Sequence, residues 1–260
     1  MVEELSHSEL KEFLDSKYEE FNVPGFIADD PISIPHQFDK KEDIEIGGFL
    51  AATIAWGNRK SIINNANKLM QWMGYFPHEF LMNASEHELD SFSRFVHRTF
   101  NGTDTIFFLE SLKNIYKNHH GLEAVFTEGY MQMQSLTSAL DHFRNTFFEL
   151  PHQKRTEKHV ANVLNKSTGK RLCMYLRWMV RNDNKGVDFG LWNGIPASAL
   201  MLPLDIHTGN VSRQLGLLKR KQNDWKAVVE VSNALRKFDP EDPVKYDFAL
   251  FGLGVSKFFE

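Results

Sequence analysis

Apolar residues recur at helical spacing along most of the chain. Residues 8–21 carry Leu10, Phe13, Leu14 and Tyr18 on one side and acids on the other, which predicts an amphipathic helix. A segment rich in Pro, Asp and Ile follows from Val23 to Phe38 and reads as an extended surface loop. Residues 42–56 open with acids and then become small and apolar (GGFLAATIAW), the pattern of a buried, closely packed helix. Gly57 and Asn58 interrupt it, and a second helix is predicted from about Arg59 to Trp72. Further helices are predicted near 86–96, 104–118, 134–148, 168–182, 206–217, 224–237 and 243–255. Alternating apolar–polar runs of useful length do not occur, so the fold class is all-α.

No repeat or low-complexity tract organises the chain. The polar stretch Leu150–Ser167 suggests a boundary between two lobes. One would comprise about 1–40 with 151–167 and 224–260, the other about 42–150 and 168–222. The connection Asn182–Pro203 is long and rich in Gly and Asn; long ordered connections often carry function.

Composition narrows the function classes. With 260 residues and 42 % hydrophobic content the chain can bury a sizeable core. Its single cysteine, Cys173, excludes a disulfide framework and any four-cysteine zinc or iron–sulfur site. No apolar run approaches the roughly 20 residues that span a bilayer. The start MVEELSHSELKEF lacks a signal-peptide pattern, so a cytoplasmic location is expected, with no membrane partner. The net charge of −4 hides an asymmetry: residues 151–185 carry nine cations and two acids, a local +7, leaving −11 for the rest.

That basic zone includes a helix predicted from Thr168. Leu172, Tyr175, Leu176, Met179 and Val180 form an apolar stripe, and Lys170, Met174, Arg177 and Arg181 form another. Ser167, Thr168 and Gly169 offer helix-start N–H groups that suit a phosphate. A second basic patch, Arg213 with Lys219, Arg220 and Lys221, follows Asp205. On position alone, Lys170 reads as a solvated first-turn lysine, Asp205 as a helix N-cap and His207 as a first-turn residue. Arg177 and Arg181 equally suit structural ion pairs.

The segment PLDIHTGNVSRQLGLL resembles the VDTHVxRVxxRLGL segment of helix–hairpin–helix DNA glycosylases of the endonuclease III superfamily. In that family the aspartate is catalytic, and an earlier helix-start lysine is the Schiff-base nucleophile of bifunctional members. Asp205 and Lys170, in STGKRLCMYLRWMVR, match these positions 35 residues apart, a spacing similar to the archaeal 8-oxoguanine glycosylase branch. EIGGFLAATIAWGNRKSI resembles the family's first core helix and the turn that approaches DNA, at Asn58 and Arg59. NKSTG stands where the family has its hairpin glycines. Over most of its length the chain also resembles an uncharacterised bacterial family, of the domain of unknown function 2400 type, through KR…LRWMVR, PLDxH and DPVKYDFAL.

The resemblance implies a two-lobed, DNA glycosylase-like (HhH-GPD-like) architecture. It implies a base-excision repair enzyme that cleaves the N-glycosidic bond of a damaged base in duplex DNA, an oxidised purine by the archaeal likeness, with lyase activity through a lysine. Lys170 is then the nucleophile and Asp205 the catalytic carboxylate. Asn58, Arg59, Arg171, Arg177, Arg181, His207 and Arg213 would contact nucleic acid. No cofactor, metal or iron–sulfur cluster is called for. Trp178, Trp192 and Phe189 are available to a base pocket, Trp178 reading first as core, and Asp247 reads as a salt-bridged or capping acid, with a buried acid as the alternative. Two other readings fit the same residues: a non-catalytic nucleic-acid-binding module of this fold, and a helical protein-interaction domain with a solvated basic stripe. A metal hydrolase built on His207 and Asp205 lacks a paired-ligand motif.

Overall fold

Among the described residues, six of the twelve α-helices start at a residue whose side chain caps them. In the computed structural model, which describes residues 5–256 and Phe258, Ser6 and Glu9 close a capping box on α1 (His7–Phe21). Helices α2 (Lys41–Thr53), α3 (Arg59–Trp72), α4 (Pro77–Asn83) and α5 (Glu86–Asp90) follow. Then come α6 (Gly102–Asn118), α7 (Leu122–Met133) and α8 (Leu136–Phe147). The chain ends with α9 (Lys170–Val180), α10 (Ile206–Gln214), α11 (Trp225–Leu235) and α12 (Tyr246–Val255). Among the described residues the only strands are Val96–His97 and Phe100–Asn101, a minimal antiparallel pair, so the protein is all-α. No helix among these residues is long and apolar enough to cross a membrane.

The chain divides into two compact units. One comprises Met1–Phe26 and Asn162–Glu260, the other Ile27–Ala161. This corrects the expected lobes: 168–222 belongs with the terminal segments, not with 42–150. The cause is the buried charge of α9, which pairs with carboxylates supplied by 183–188 and 242–247.

The unit 27–161 is built on phenylalanines. Phe126 stacks on Phe143 at 4.2 Å and Phe108 meets Phe147 edge-on at 4.7 Å, while Phe49 packs among them. Each such ring stabilises the fold by roughly 1.5–3 kcal/mol through burial. The expected extended loop from Val23 to Phe38 is instead a chain of 3-10 turns that buries Ile32 and Ile34 completely. Pro31 and Pro35 start two of these turns, since proline presets φ for a helical first position. Helices α4 and α7 lie outside the predicted set; α7 carries apolar residues on nearly every side.

In the other unit, α12 packs on α1 and α10. Gly252 permits the first contact: a Cβ there would stand 2.3 Å from the Phe21 ring. Helix α9 is the most deeply buried, with every residue from Leu172 to Val180 inside. The connection 182–203 closes over its C-terminal end, where the Phe189 and Trp192 amides donate to the Trp178 and Met179 carbonyls.

Candidate functional site

Helix α9 starts abruptly. Gly169 adopts φ +62°, and a Cβ there would meet Val163 Cγ1 at 2.9 Å, so glycine is required on both counts. The Ser167 and Thr168 hydroxyls accept from the Gly169 and Lys170 amides at 3.2 and 3.4 Å. This tight entry puts Lys170 at the first helical position with its side chain only partly covered.

Asp205 is the N-cap of α10, as its position in the sequence indicates. Its Oδ1 accepts from the Thr208 amide at 3.0 Å, and its own amide donates to Thr208 Oγ1 at 2.9 Å. The cap engages Oδ1, and Oδ2 faces Lys170. Lys170 Nζ lies 3.6 Å from Asp205 Oδ2, with the two side chains 29 % and 24 % exposed. The structure therefore brings together the two residues that the sequence singled out. An ion pair this open contributes about 0–1 kcal/mol to stability, so stability gives little reason for the pairing.

Behind the pair lies a buried charge network. Arg177 sits two turns after Lys170 on α9, with Nε 3.3 Å from Asp188 Oδ1, Nη1 2.5 Å from Asp247 Oδ2 and the guanidinium 4.2 Å above the Phe248 ring. Arg181 binds Asp188 at 2.9 Å, Asp183 at 2.7 Å, Asp242 at 2.8 Å and the Tyr18 hydroxyl at 3.0 Å. Burial disfavours the Arg181 charge, yet Asp188, Asp242 and Asp183 together hold it firmly protonated. Both arginines were expected on a phosphate-facing stripe. At 4 % and 0 % exposure they face the interior, which corrects that expectation. The basic stripe is real as a sequence pattern, but α9 is buried on both faces, and its cations neutralise an acidic lining.

Asp247, which the sequence offered as a salt-bridged or capping acid and also as a buried acid, is buried and salt-bridged. It stands in the first turn of α12, against the α9 face that carries Lys170, Cys173 and Arg177. Burial pushes its carboxyl up to about 6; Arg177 opposes this, the Asp205 charge adds to it, and Lys170 opposes it. Burial, and then the Asp247 charge, also push the Cys173 thiol up. Asp247 thus lies within electrostatic reach of both Lys170 and Asp205. The sequence signal was a lone acid in the apolar run YDFALFGLG, where an unpaired charge would be costly.

The remaining expected residues divide. Arg213 is turned onto its own chain: Nε donates to the Arg220 carbonyl at 2.9 Å, and Nη2 to the Lys221 carbonyl at 3.0 Å and Asn223 Oδ1 at 2.6 Å. Asn223 in turn donates to the Asp205 carbonyl at 3.1 Å, so Arg213 braces the loop that supports Asp205. This corrects its expected phosphate role. His207 is exposed, and its Cβ edge packs close to Gly254. Arg171 is half-buried beside Lys170 in the first turn of α9. Asn58 caps α3, accepting from the Ser61 amide at 3.1 Å, and Arg59 follows; both are exposed and belong to the unit 27–161. Trp178 and Trp192 are buried, Trp192 against Tyr175, so neither lines an open base pocket. Among the described residues no group of three His, Cys, Asp or Glu side chains has a metal-holding arrangement.

In comparison with known proteins the chain matches the family model described as protein of unknown function (DUF2400), over residues 30–256. No curated protein and no solved structure matches the chain. The match spans the 3-10 turns from Pro31 onward, α2 to α12, and both members of the Lys170–Asp205 pair. The chain therefore belongs to the DUF2400 family of proteins of unknown function.

Proposed function

We propose that the Lys170–Asp205 pair performs amine-nucleophile chemistry at the C1′ carbon of a damaged nucleotide in DNA, as a glycosylase with lyase activity. The observation that carries this reading is the 3.6 Å approach of Lys170 Nζ to Asp205 Oδ2 at two adjoining helix starts, both groups open to solvent. The likeness of PLDIHTGNVSRQLGLL and of STGKRLCMYLRWMVR to the helix–hairpin–helix glycosylases supports it.

In this scheme Asp205 takes a proton from the Lys170 ammonium, leaving a free lone pair. The amine attacks C1′ as the N-glycosidic bond breaks, and the base departs with the bonding electrons and takes the proton that Asp205 had accepted, which restores the carboxylate. The transition state has oxocarbenium character, which the Asp205 carboxylate stabilises. Cleavage of the C1′–O4′ bond then gives a protonated imine on Lys170, with the proton count closed by O4′. The imine acidifies C2′–H and permits strand scission. The target nucleotide must leave the duplex first, at a cost of a few kcal/mol. In this reading the exposed His207, two residues after Asp205, and the half-buried Arg171, next to Lys170, are the candidates for contact with the adjoining phosphates. Arg177 and Asp247 hold the floor of the site rather than the substrate.

The test is borohydride reduction with a duplex that carries one abasic site. There the amine condenses with the C1′ aldehyde, water leaves, and hydride fixes the imine as a stable amine. The expected result is a covalent protein–DNA adduct with the natural protein and none with Lys170→Ala. An adduct that persists in Lys170→Ala would move the nucleophile elsewhere, and no adduct with the natural protein would remove the Schiff-base step.

A further inference from the structure

The unit 27–161 carries a second charged feature, which α9 and α10 do not share. Residues 46–78 and 91–103 contain no Asp or Glu, in a chain whose net charge is −4. Both segments contribute to one surface. Lys68 of α3 and Arg94 of the turn 91–94 each place their cation 4.7 Å from the Trp72 ring. At the other end of α3, the Arg98 guanidinium packs against Gly57, where a Cβ would stand 2.4 Å from Nη1. Between these ends, His97 Nδ1 meets Asn65 Nδ2 at 3.0 Å and fixes the segment 91–101 along α3. Arg59, Lys60, Lys68, Arg94 and Arg98 are all exposed. Among the described residues no carboxylate pairs with Lys60, Lys68, Arg94 or Arg98, so their charges are not neutralised within the fold.

The cations follow the length of α3, whose 14 residues extend roughly 20 Å. Over that distance a duplex carries about a dozen phosphates. Ser61, Asn64, Asn65 and Asn67 add uncharged hydrogen-bonding groups to the same helix, and Tyr75 and Phe76 stand exposed just beyond its end. Two of the cations rest on an indole face, which holds them in place without neutralising them.

We infer that this α3 ridge, formed by Arg59, Lys60, Lys68, Arg94 and Arg98, binds the sugar–phosphate backbone of nucleic acid. The inference rests on the proposed function for its nucleic-acid partner and adds a binding surface to it. The complementary chemistry is a regular row of phosphates. An acidic protein would present carboxylates singly and be read by paired contacts rather than by an acid-free strip.

The experiment measures anisotropy of a fluorescein-labelled 20-base-pair duplex across salt concentration, with the full chain carrying Lys170→Ala. Binding is thereby read without chemistry, and failure of the Lys170 mechanism leaves it intact. The ridge variant is Lys68→Gln, Arg94→Gln and Arg98→Gln together, which keeps the stems that cover Trp72 and Gly57. The matched control is Lys40→Gln, Lys117→Gln and Lys154→Gln, the same change in charge at other exposed positions of this unit. The ridge variant should lose at least ten-fold in affinity at low salt. Its log–log salt slope should fall by about 2–3, at ~0.9 per phosphate contact, while the control stays within two-fold. Lys60→Gln, at an exposed position of α3, should alone lose about three-fold. Equal losses in ridge and control variants, or none in the ridge variant, would overturn the inference. So would polyglutamate that competes as well as unlabelled duplex of equal charge.

Discussion

Replacing Arg177 with Met separates the structural role of the α9 cations from the expected DNA-contact role. The guanidinium is 4 % exposed and lies between Asp188 and Asp247, themselves 7 % and 5 % exposed. Arg177→Met fills the space with an unbranched apolar side chain, removes the guanidinium from the Phe248 ring, and leaves Asp247 without its ion-pair partner and Asp188 with Arg181 alone. Removing one member of a buried ion pair costs about 3–5 kcal/mol, because the remaining charge stays desolvated. With a urea dependence of roughly 3 kcal/mol/M, the unfolding midpoint should fall by about 1–1.7 M at pH 7.5. The pH dependence supplies a second check. The folded Asp247 carboxyl titrates near 6, above its ordinary value of 3.8. The native state therefore binds more protons than the unfolded chain between these values. This group's contribution is fully present below about pH 4 and is lost as pH rises through 6. Without Arg177 the carboxyl rises further, so the variant should recover part of its deficit at pH 5.5, and adding Asp247→Asn should flatten the slope. A loss under about 1 kcal/mol at pH 7.5, with no recovery at pH 5.5, would refute the buried-pair reasoning.

Asp205→Asn separates cap from chemistry. Asparagine caps α10 as well as aspartate does, so stability should change by only a few tenths of a kcal/mol, while single-turnover adduct formation should slow by about 10²–10⁴-fold. Loss of stability with adduct formation intact would show that Asp205 is only a cap. Gly169→Ala places a Cβ at φ +62° and against Val163. It should cost about 1–2 kcal/mol in thermal unfolding and lower the trapping yield by displacing Lys170; a variant of unchanged stability would refute the strain argument.

The sequence conveyed helical periodicity well and surroundings poorly. Arg59–Trp72 was legible to the residue, because Asn58 caps the helix and its apolar stripe is regular. Helix α7 was not, because LEAVFTEGYMQM has no polar face wide enough to set a period. Asp205 was legible as a cap, and pattern plus likeness placed it with Lys170. Arg177 and Arg181 misled because periodicity reports which residues share a face, and not whether that face meets water or a row of carboxylates. Their partners, Asp188, Asp242 and Asp247, lie 7 to 70 residues away, and the sequence carries no spacing rule that links them. The same network explains why the expected lobes were drawn wrongly around 168–222.

The central claim is that Lys170 is the nucleophile, and peptide mapping of the borohydride-trapped adduct tests it most directly. After nuclease and protease digestion, mass spectrometry should locate the reduced sugar remnant on the peptide containing Lys170, with its amine as the modified atom. A remnant found on Lys166, Lys185 or any other lysine, with the Lys170 peptide unmodified, would contradict the account.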